Sequence, residues 1–550
     1  MKKTLLNTFF FPMLFVALLS GCNSDEPDDT TPFSVKGVVT SDTGTPLEAV
    51  SVSSIIDSTL TNAKGEYTVT AYPYGSLEFT KTGYVKRIES IEGKRTIDVS
   101  LTKQTGDQAT RFTVKTANRT CSNGAYVTIT TVEISDFGQG TGTATFTKNK
   151  VWVLKNRVFV LDGQTLTIEA GTIVKASAGK GETAGALIVA RGGKLIAKGT
   201  ASQPIIFTSE KDSLLNDPAG NPCFSTNLTA ADRGLWGGIL LLGKAAIGTD
   251  SGEARAQGTL LTEPASMYGG NHNADTSGVL QYVSIRHGGA ALDIDNQMNG
   301  LTLAGVGSGT RVDHVEVFAN QFDGIRFFGG TVNTRYLVSA WCGNDAFEYS
   351  QGWRGSNQYW LALQDDQSEK GCNGLGGNGS LLSQPLIVNA TFNGPGNLSG
   401  RKAASFQNNA AGQFLNCIMM HYAVGADIQY AGQNKQDSYQ RLAANELLLR
   451  HNIFYGITFD PWFRLDNQSG LSDNHPDVQA AREFVKNAFG GNENYYEEPG
   501  LSNLVPAPGS PAATLGTALQ HPFIDSTEYS GCFAPSQPKW TKGGWSRTEQ

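Results

Sequence analysis

Between Phe322 and Gly330 the sequence reads FDGIRFFGG, which sets a carboxylate, Asp323, and a guanidinium, Arg326, among aromatics and glycines. Twenty-two residues after Asp323 comes Asp345, in NDAFEYSQG, and Glu348 then stands where Arg326 stood. Two carboxylates brought to roughly 5 Å repel, so they must share a proton, bind a cation or point apart. A proton-sharing pair can serve glycoside hydrolysis, with the separation deciding between retention and inversion. Asp323, Asp345 and Arg326 are therefore the candidate catalytic groups. Glu348, with Asp365 and Asp366 after WLALQ, are candidate ligand contacts. The same residues allow a plain structural account. Arg326 over Glu348 is then a cross-strand ion pair worth some tenths of a kcal/mol, and an aspartate at a turn caps its own backbone.

Other residue types offer less. Trp341, Trp353, Tyr359 and Trp360 fall near the corners of the pattern. They could form a strip of flat rings that stack on sugar faces, or pack under loops. DIDNQMNG, from Asp293 to Gly300, alternates oxygen ligands at Asp293 and Asp295 and makes Ca²⁺ a candidate cofactor. Its glycine stands eighth, however, where an EF-hand loop has it sixth. The seven histidines are scattered, and no HExxH, GxSxG or phosphate-binding glycine loop occurs. His287, in RHGG after Arg286, and His314 fall on successive repeats as turn or surface residues.

The elements that position these groups are short strands. Glycine makes up 64 of 550 residues and charged residues only 17%, a composition of many strands joined by tight turns. From about residue 150, runs such as VWVLKNRVFVLDGQTLTIEAGTIVKA and GALIVARGGKLIAKG repeat every 20 to 25 residues, the mark of a solenoid. VDHVEVFANQFDGIRFFGG lies over RYLVSAWCGNDAFEYSQG with one residue of slack. This overlay puts Val315 under Val338, Val317 under Ala340, Phe318 under Trp341, Asp323 under Asp345 and Ile325 under Phe347. A coil of 22 residues with three strands suits a parallel β-helix, in which like positions stack about 4.8 Å apart. Pairs such as Gly237–Gly238 and Gly329–Gly330 suit its corners. A β-propeller would need a longer period. Toward the end, NHPDVQAAREFVKNAFGG predicts a helix of about three turns with Asn474 as N-cap and Pro476 near N1. It would cover an open sheet edge, and the remaining chain would pack back along the ladder.

The two ends of the chain carry other information. Residues 33–103 alternate as short strands, with Ile97, Val99 and Leu101 on one face, and predict a small β-sandwich. Lys2 and Lys3 precede FFFPMLFVALLSGC, a cleaved export signal too short to be a stable span. Beyond Cys22 an even six cysteines permit disulfides in an exported protein. Cys342–Cys372 is the favoured pair, and the lack of CxxC spacing argues against zinc. With a net charge of −7 and no basic stripe, nucleic acid is excluded as a partner.

Several resemblances add to this. LSGC, ending at Cys22, resembles the lipobox of bacterial lipoproteins, which implies lipidation of Cys22 and an anchor of several acyl chains. The following NSDEPDDTTP resembles the signal that carries Bacteroidota lipoproteins to the outer face of the outer membrane. GVVTSDTGTPLEAVSV with TNAKGEYTV and TKTGY resembles the carboxypeptidase regulatory-like (prealbumin-like) domain, a spacer or docking module. LTIEAGTIVKA, GLWGGILLLGKA, NGLTLAGVGSGTRVDHVEVF, DGIRFFGGTVN and the closing GCFAPSQPKWTKGGW are together similar to a family of glycine-rich, right-handed β-helix surface lipoproteins. That resemblance implies fold and location, and no settled activity. Pectin-active β-helix enzymes are similar in placing aspartates, Ca²⁺ and arginine on neighbouring rungs.

The expected architecture is all-β. Its segments are a lipoprotein signal peptide (1–21), an acidic tether (22–32), a β-sandwich (33–103), a linker and N-terminal cap (104–149), a right-handed parallel β-helix (150–465), and a C-terminal helix with packing loops (466–550). Three functions fit: a surface protein that binds glycan, with an outer-membrane uptake receptor as a further partner; a polysaccharide lyase or hydrolase; or an adhesive scaffold.

Overall fold

The computed structural model describes residues 31–549, except 55, 74, 82, 85–86, 92, 104–110, 137, 261–262, 264, 293–295, 378, 380, 397–399, 460–461 and 492. The signal peptide, Cys22, most of the tether, Asp293 and Asp295 thus lie outside the described residues.

The N-terminal unit is two small sheets. Phe33–Ser41 pairs with Glu66–Ala71 and Val99–Leu101, and the second sheet holds Ser51–Ser53, Ser58–Leu60, Ser76–Thr80 and Arg87–Ser90. Alternation gives strands such as Phe33–Ser41 and Glu66–Ala71 one apolar face, and Val35, Val39, Val52, Val69, Phe79 and Leu101 meet between the sheets. This unit touches the rest of the chain where Ser76 Oγ donates to Glu253 Oε2 at 3.3 Å, beside the Arg191–Glu253 ion pair.

The remainder is a parallel β-helix. Ten strands, from Arg157–Val160 to Phe463–Asn467, stack in register to form one wall. The other two walls merge into a 19-stranded sheet, because long strands such as Gly278–Arg286 and Ser356–Leu363 run through both. Where those walls meet, the rungs from Gly278–Arg286 onward carry a left-handed residue. Tyr282, His314, Tyr336, Tyr359, Asn389, Asn416 and His451 have φ between 49° and 63°. Such a conformation costs a non-glycine residue about 1 kcal/mol or more. Asparagine tolerates it, and the rings offset it by stacking, with centroids 4.3, 4.3 and 4.8 Å apart from Tyr282 to Tyr359.

This ladder corrects the sequence overlay. These two rungs are in step by 22 residues: Val315 pairs with Leu337, Val317 with Ser339 and Phe318 with Ala340. Val338, Ala340 and Trp341 are each one position late. The left-handed residue at His314 and Tyr336 breaks the in–out alternation on which the overlay relied. Past that corner the overlay holds, with Ile325 on Phe347 and Arg326 on Glu348.

Stacking starts before residue 150: Tyr126–Ile134 and Ala144–Phe146 already pair with the first rungs. Cys121 and Cys223 form the disulfide, which staples the N-terminal hairpin to a long loop. Cys342 and Cys372 do not pair. Both are free and buried, on different walls, and burial pushes the Cys342 thiol up to about 11. At the far end the helix Pro476–Gly490 packs on Phe463–Asn467 through Val485 and Phe489. Its N-cap is His475 rather than Asn474, because the His475 ring nitrogen accepts the Asp477 N–H at 3.2 Å. The final segment returns along the ring ladder, setting Trp545 edge-on to His314 and Trp540 edge-on to Tyr336. Ser546 Oγ and the Arg547 N–H donate to the buried Glu316 at 2.6 and 2.7 Å.

Candidate ligand-binding face

One outward-facing column of the ten-stranded wall changes character along its length. Register partners run Phe159, Ile188, Leu240, Thr302, Arg326, Glu348, Asn373, Ser405, Asp427 and Arg464. The first three are apolar and are covered by the chain's own excursion, which packs Ala256, Ala265, Tyr268 and Met298 on them. From Thr302 onward every position is polar.

Charges flank the polar part. Arg326 donates to Asp323 Oδ2 at 3.2 Å and to Gln257 Oε1 at 2.9 Å, ion-pairs with Glu348, and lies 4.6 Å from the Phe328 ring centre. Asn344 Nδ2 and the Asp345 N–H donate to Asp323 Oδ1 at 2.5 and 3.2 Å. Lys370 Nζ reaches both Asp345 oxygens at 3.3 and 3.4 Å. One rung further, Lys402 donates to Asp427 Oδ2 at 2.5 Å and Arg464 to Asp427 Oδ1 at 2.6 Å. The acids are the buried members: Asp323, Asp345 and Asp427 side chains are 0–1% exposed, whereas Arg326, Lys370 and Arg464 are 17–31% exposed. The face offers solvent its cations over a floor of carboxylates.

Burial sets the protonation of that floor. It pushes Asp345 up to about 7, Lys370 opposing and Asp323 adding to the rise. It pushes Glu348 up to about 8, with Asp323 raising it further and Arg326 opposing. Four polar atoms of the column are buried without a hydrogen-bond partner among the described residues: Arg326 Nε, Asn373 Oδ1, Ser405 Oγ and Glu348 Oε1, the last facing Arg326 in their ion pair. Buried polar groups are rarely left unsatisfied, and the same condition recurs elsewhere in the molecule, at Arg286, Asn320 and Asn409.

A family model described as a pectate-lyase like beta helix domain matches residues 138–460, more than half of the chain. The chain belongs to that family. Among solved structures, the Dettilon tailspike protein is similar over 60% of this chain and 57% of its own length, at 10% identity and a TM-score of 0.18. That likeness is too slight to bear on function, and this chain spans little more than half of the tailspike. No curated protein matches the chain.

Within this pectate-lyase-like β-helix the expected site residues divide. Asp323, Asp345 and Glu348 come together, with one oxygen of each within 4.8 Å of the others. Arg326 joins them. As a calcium site the trio fits poorly: its oxygens already accept from Arg326, Lys370, Asn344 and Asn373, and a divalent ion would have to displace both cations. Asp365 stands apart in an ion pair with Arg233, and Asp366 is exposed. The aromatic strip does not form. Trp353 and Trp360 are interior residues, stacked on Phe327 at 3.8 Å and Phe347 at 4.3 Å. The coil is wide enough to need large rings as filler. Trp341 is half-buried, edge-on to Phe318 at 5.2 Å. His287 is likewise a buried corner residue, not a surface one.

Lys370, Asn373, Lys402, Ser405, Asp427 and Arg464 escape sequence reading. Loops of unequal length part their rungs, so the column advances by 22, 25, 32, 22 and 37 residues from Arg326 to Arg464. No fixed period finds it.

Proposed function

We propose that this protein binds a glycan along the polar column from Thr302 to Arg464, while held at the bacterial outer surface by a lipid on Cys22. The observation that carries this reading is the row of partly exposed cations, Arg326, Lys370, Lys402 and Arg464, along a polar column. A hydroxyl-rich chain supplies both donors and acceptors at such a spacing. The exposed ammonium and guanidinium ends of Lys370, Lys402, Arg326 and Arg464 suit hydroxyl or carboxylate oxygens. The small N-terminal sandwich then acts as a spacer of the carboxypeptidase regulatory-like type, and an outer-membrane uptake receptor is the natural partner of such a binder.

A second reading rests on the carboxyls that titrate near neutrality. Asp345 and Glu348 each have an oxygen within 4.8 Å of the other's, the kind of carboxyl cluster a polysaccharide lyase or hydrolase would use. Against turnover, every carboxylate of the trio is buried beneath its own cation, which leaves no acid open to a scissile bond. A glycan array probed with the purified protein, with and without Ca²⁺, tests both. Binding without cleaved products on prolonged incubation is the expected result. Products that disappear in Asp345→Asn would establish the enzyme instead, and no binding at all would end the glycan reading and favour an adhesive role.

A further inference from the structure

On another corner of the helix, away from the polar column, a cleft of about 500 Å³ lies between the rungs around His421 and the C-terminal segment that passes over them. Its walls include Asn393, His421, Tyr455 and Glu498, and Met420 and Leu501 form an apolar part. That size and mixture are those of a small-molecule site.

His421 is held there deliberately by its neighbours. It has φ 62°, a conformation that favours glycine, and the next rung does place glycine at the same corner, Gly456. A Cβ on Gly456 would come 2.9 Å from the imidazole Cδ2. The rung below also has glycine at this corner, Gly394. The ring therefore stands between two rungs that carry no side chain there. Its Nδ1 lies 2.8 Å from Asn393 Oδ1, which can only accept, so Nδ1 carries the proton and Nε2 presents a lone pair. Burial holds His421 below the usual histidine range, so the ring is neutral at neutral pH. Among the described residues, His421 Nε2, the Tyr455 hydroxyl and the Glu498 carboxylate have no partner.

We propose that this cleft is a second binding site, for a small molecule that bears an amine, such as an amino sugar. His421 Nε2 and Glu498 are acceptors with no hydrogen to give, and no lysine or arginine lines the cleft. An ammonium group brings three N–H donors and a positive charge to those acceptors and to the Tyr455 ring, while Met420 and Leu501 cover the carbon frame.

The test is saturation-transfer NMR on the purified full chain with glucosamine and, separately, glucose at equal millimolar concentrations. Glucosamine should give the stronger transfer, and Glu498→Gln should weaken it by tenfold or so. His421→Asn, which keeps a residue tolerant of φ 62°, should weaken it similarly with the fold intact by circular dichroism. Lys64→Ala, exposed on the N-terminal sandwich, should leave it unchanged. Equal transfer to both sugars, transfer to neither, or binding indifferent to Glu498→Gln and His421→Asn would overturn the proposal. Loss of transfer in Glu498→Gln and His421→Asn locates the signal in this cleft, because neither residue belongs to the polar column.

Discussion

The two halves of one outward column make opposite use of the same backbone. At Phe159, Ile188 and Leu240 the wall is apolar, and the chain buries it under its own excursion. At Arg326, Glu348, Asn373, Ser405, Asp427 and Arg464 the wall is polar, and several of its atoms stay unpartnered. Position and register do not differ between the halves, so the side chains alone decide whether a rung is covered by the chain or presents polar groups. A parallel β-helix makes this possible because its interior column supplies the stability and frees the outer face to vary.

The sharpest way to break the contrast is to put a charge in the wrong half. Leu240→Asp would bury an unpaired carboxylate under Tyr268 and Met298 and should cost about 5 kcal/mol or more, read as loss of folding by denaturant titration. Asp427→Ala comes next. It strands Lys402 and the half-exposed Arg464 without their shared carboxylate, and should cost roughly 3 kcal/mol by the same titration.

A pH series sharpens the comparison at intermediate size. Asp345 and Glu348 bind protons more tightly in the fold than in the unfolded chain, where their values are 3.8 and 4.5. The folded state therefore holds protons that the unfolded chain has lost between about pH 4 and the folded values of about 7 and 8. Their contribution to stability is full at acid pH, falls through that window and is gone above it. The melting temperature should drop from pH 5 to pH 8, and Asp345→Asn should flatten part of that slope. The smallest effect is expected at Ser405→Ala. Removing an unpartnered buried hydroxyl should move stability by no more than about 0.5 kcal/mol either way, while weakening glycan binding.

How far the sequence could be read follows from the same geometry. Period and glycine corners suffice for the β-helix, and the step from Asp323 to Asp345 and from Arg326 to Glu348 is visible because that rung has no insertion. The column beyond Glu348 is hidden, since loops before Ser405 and Arg464 stretch the step to 32 and 37 residues. The tryptophans mislead for a related reason. A ring at Trp353 or Trp360 looks the same in a string of letters whether it faces sugar or fills a wide coil, and only the stacking on Phe327 and Phe347 tells them apart.

The central claim is that the polar half of the column is the glycan-binding face. Isothermal titration of the tightest array glycan against the Asn373→Ala, Ser405→Ala double variant tests it most directly. The account predicts at least a tenfold loss of affinity, with the melting temperature lowered only by the lost Asn373–Glu348 hydrogen bond. Affinity equal to that of the unaltered protein would contradict it.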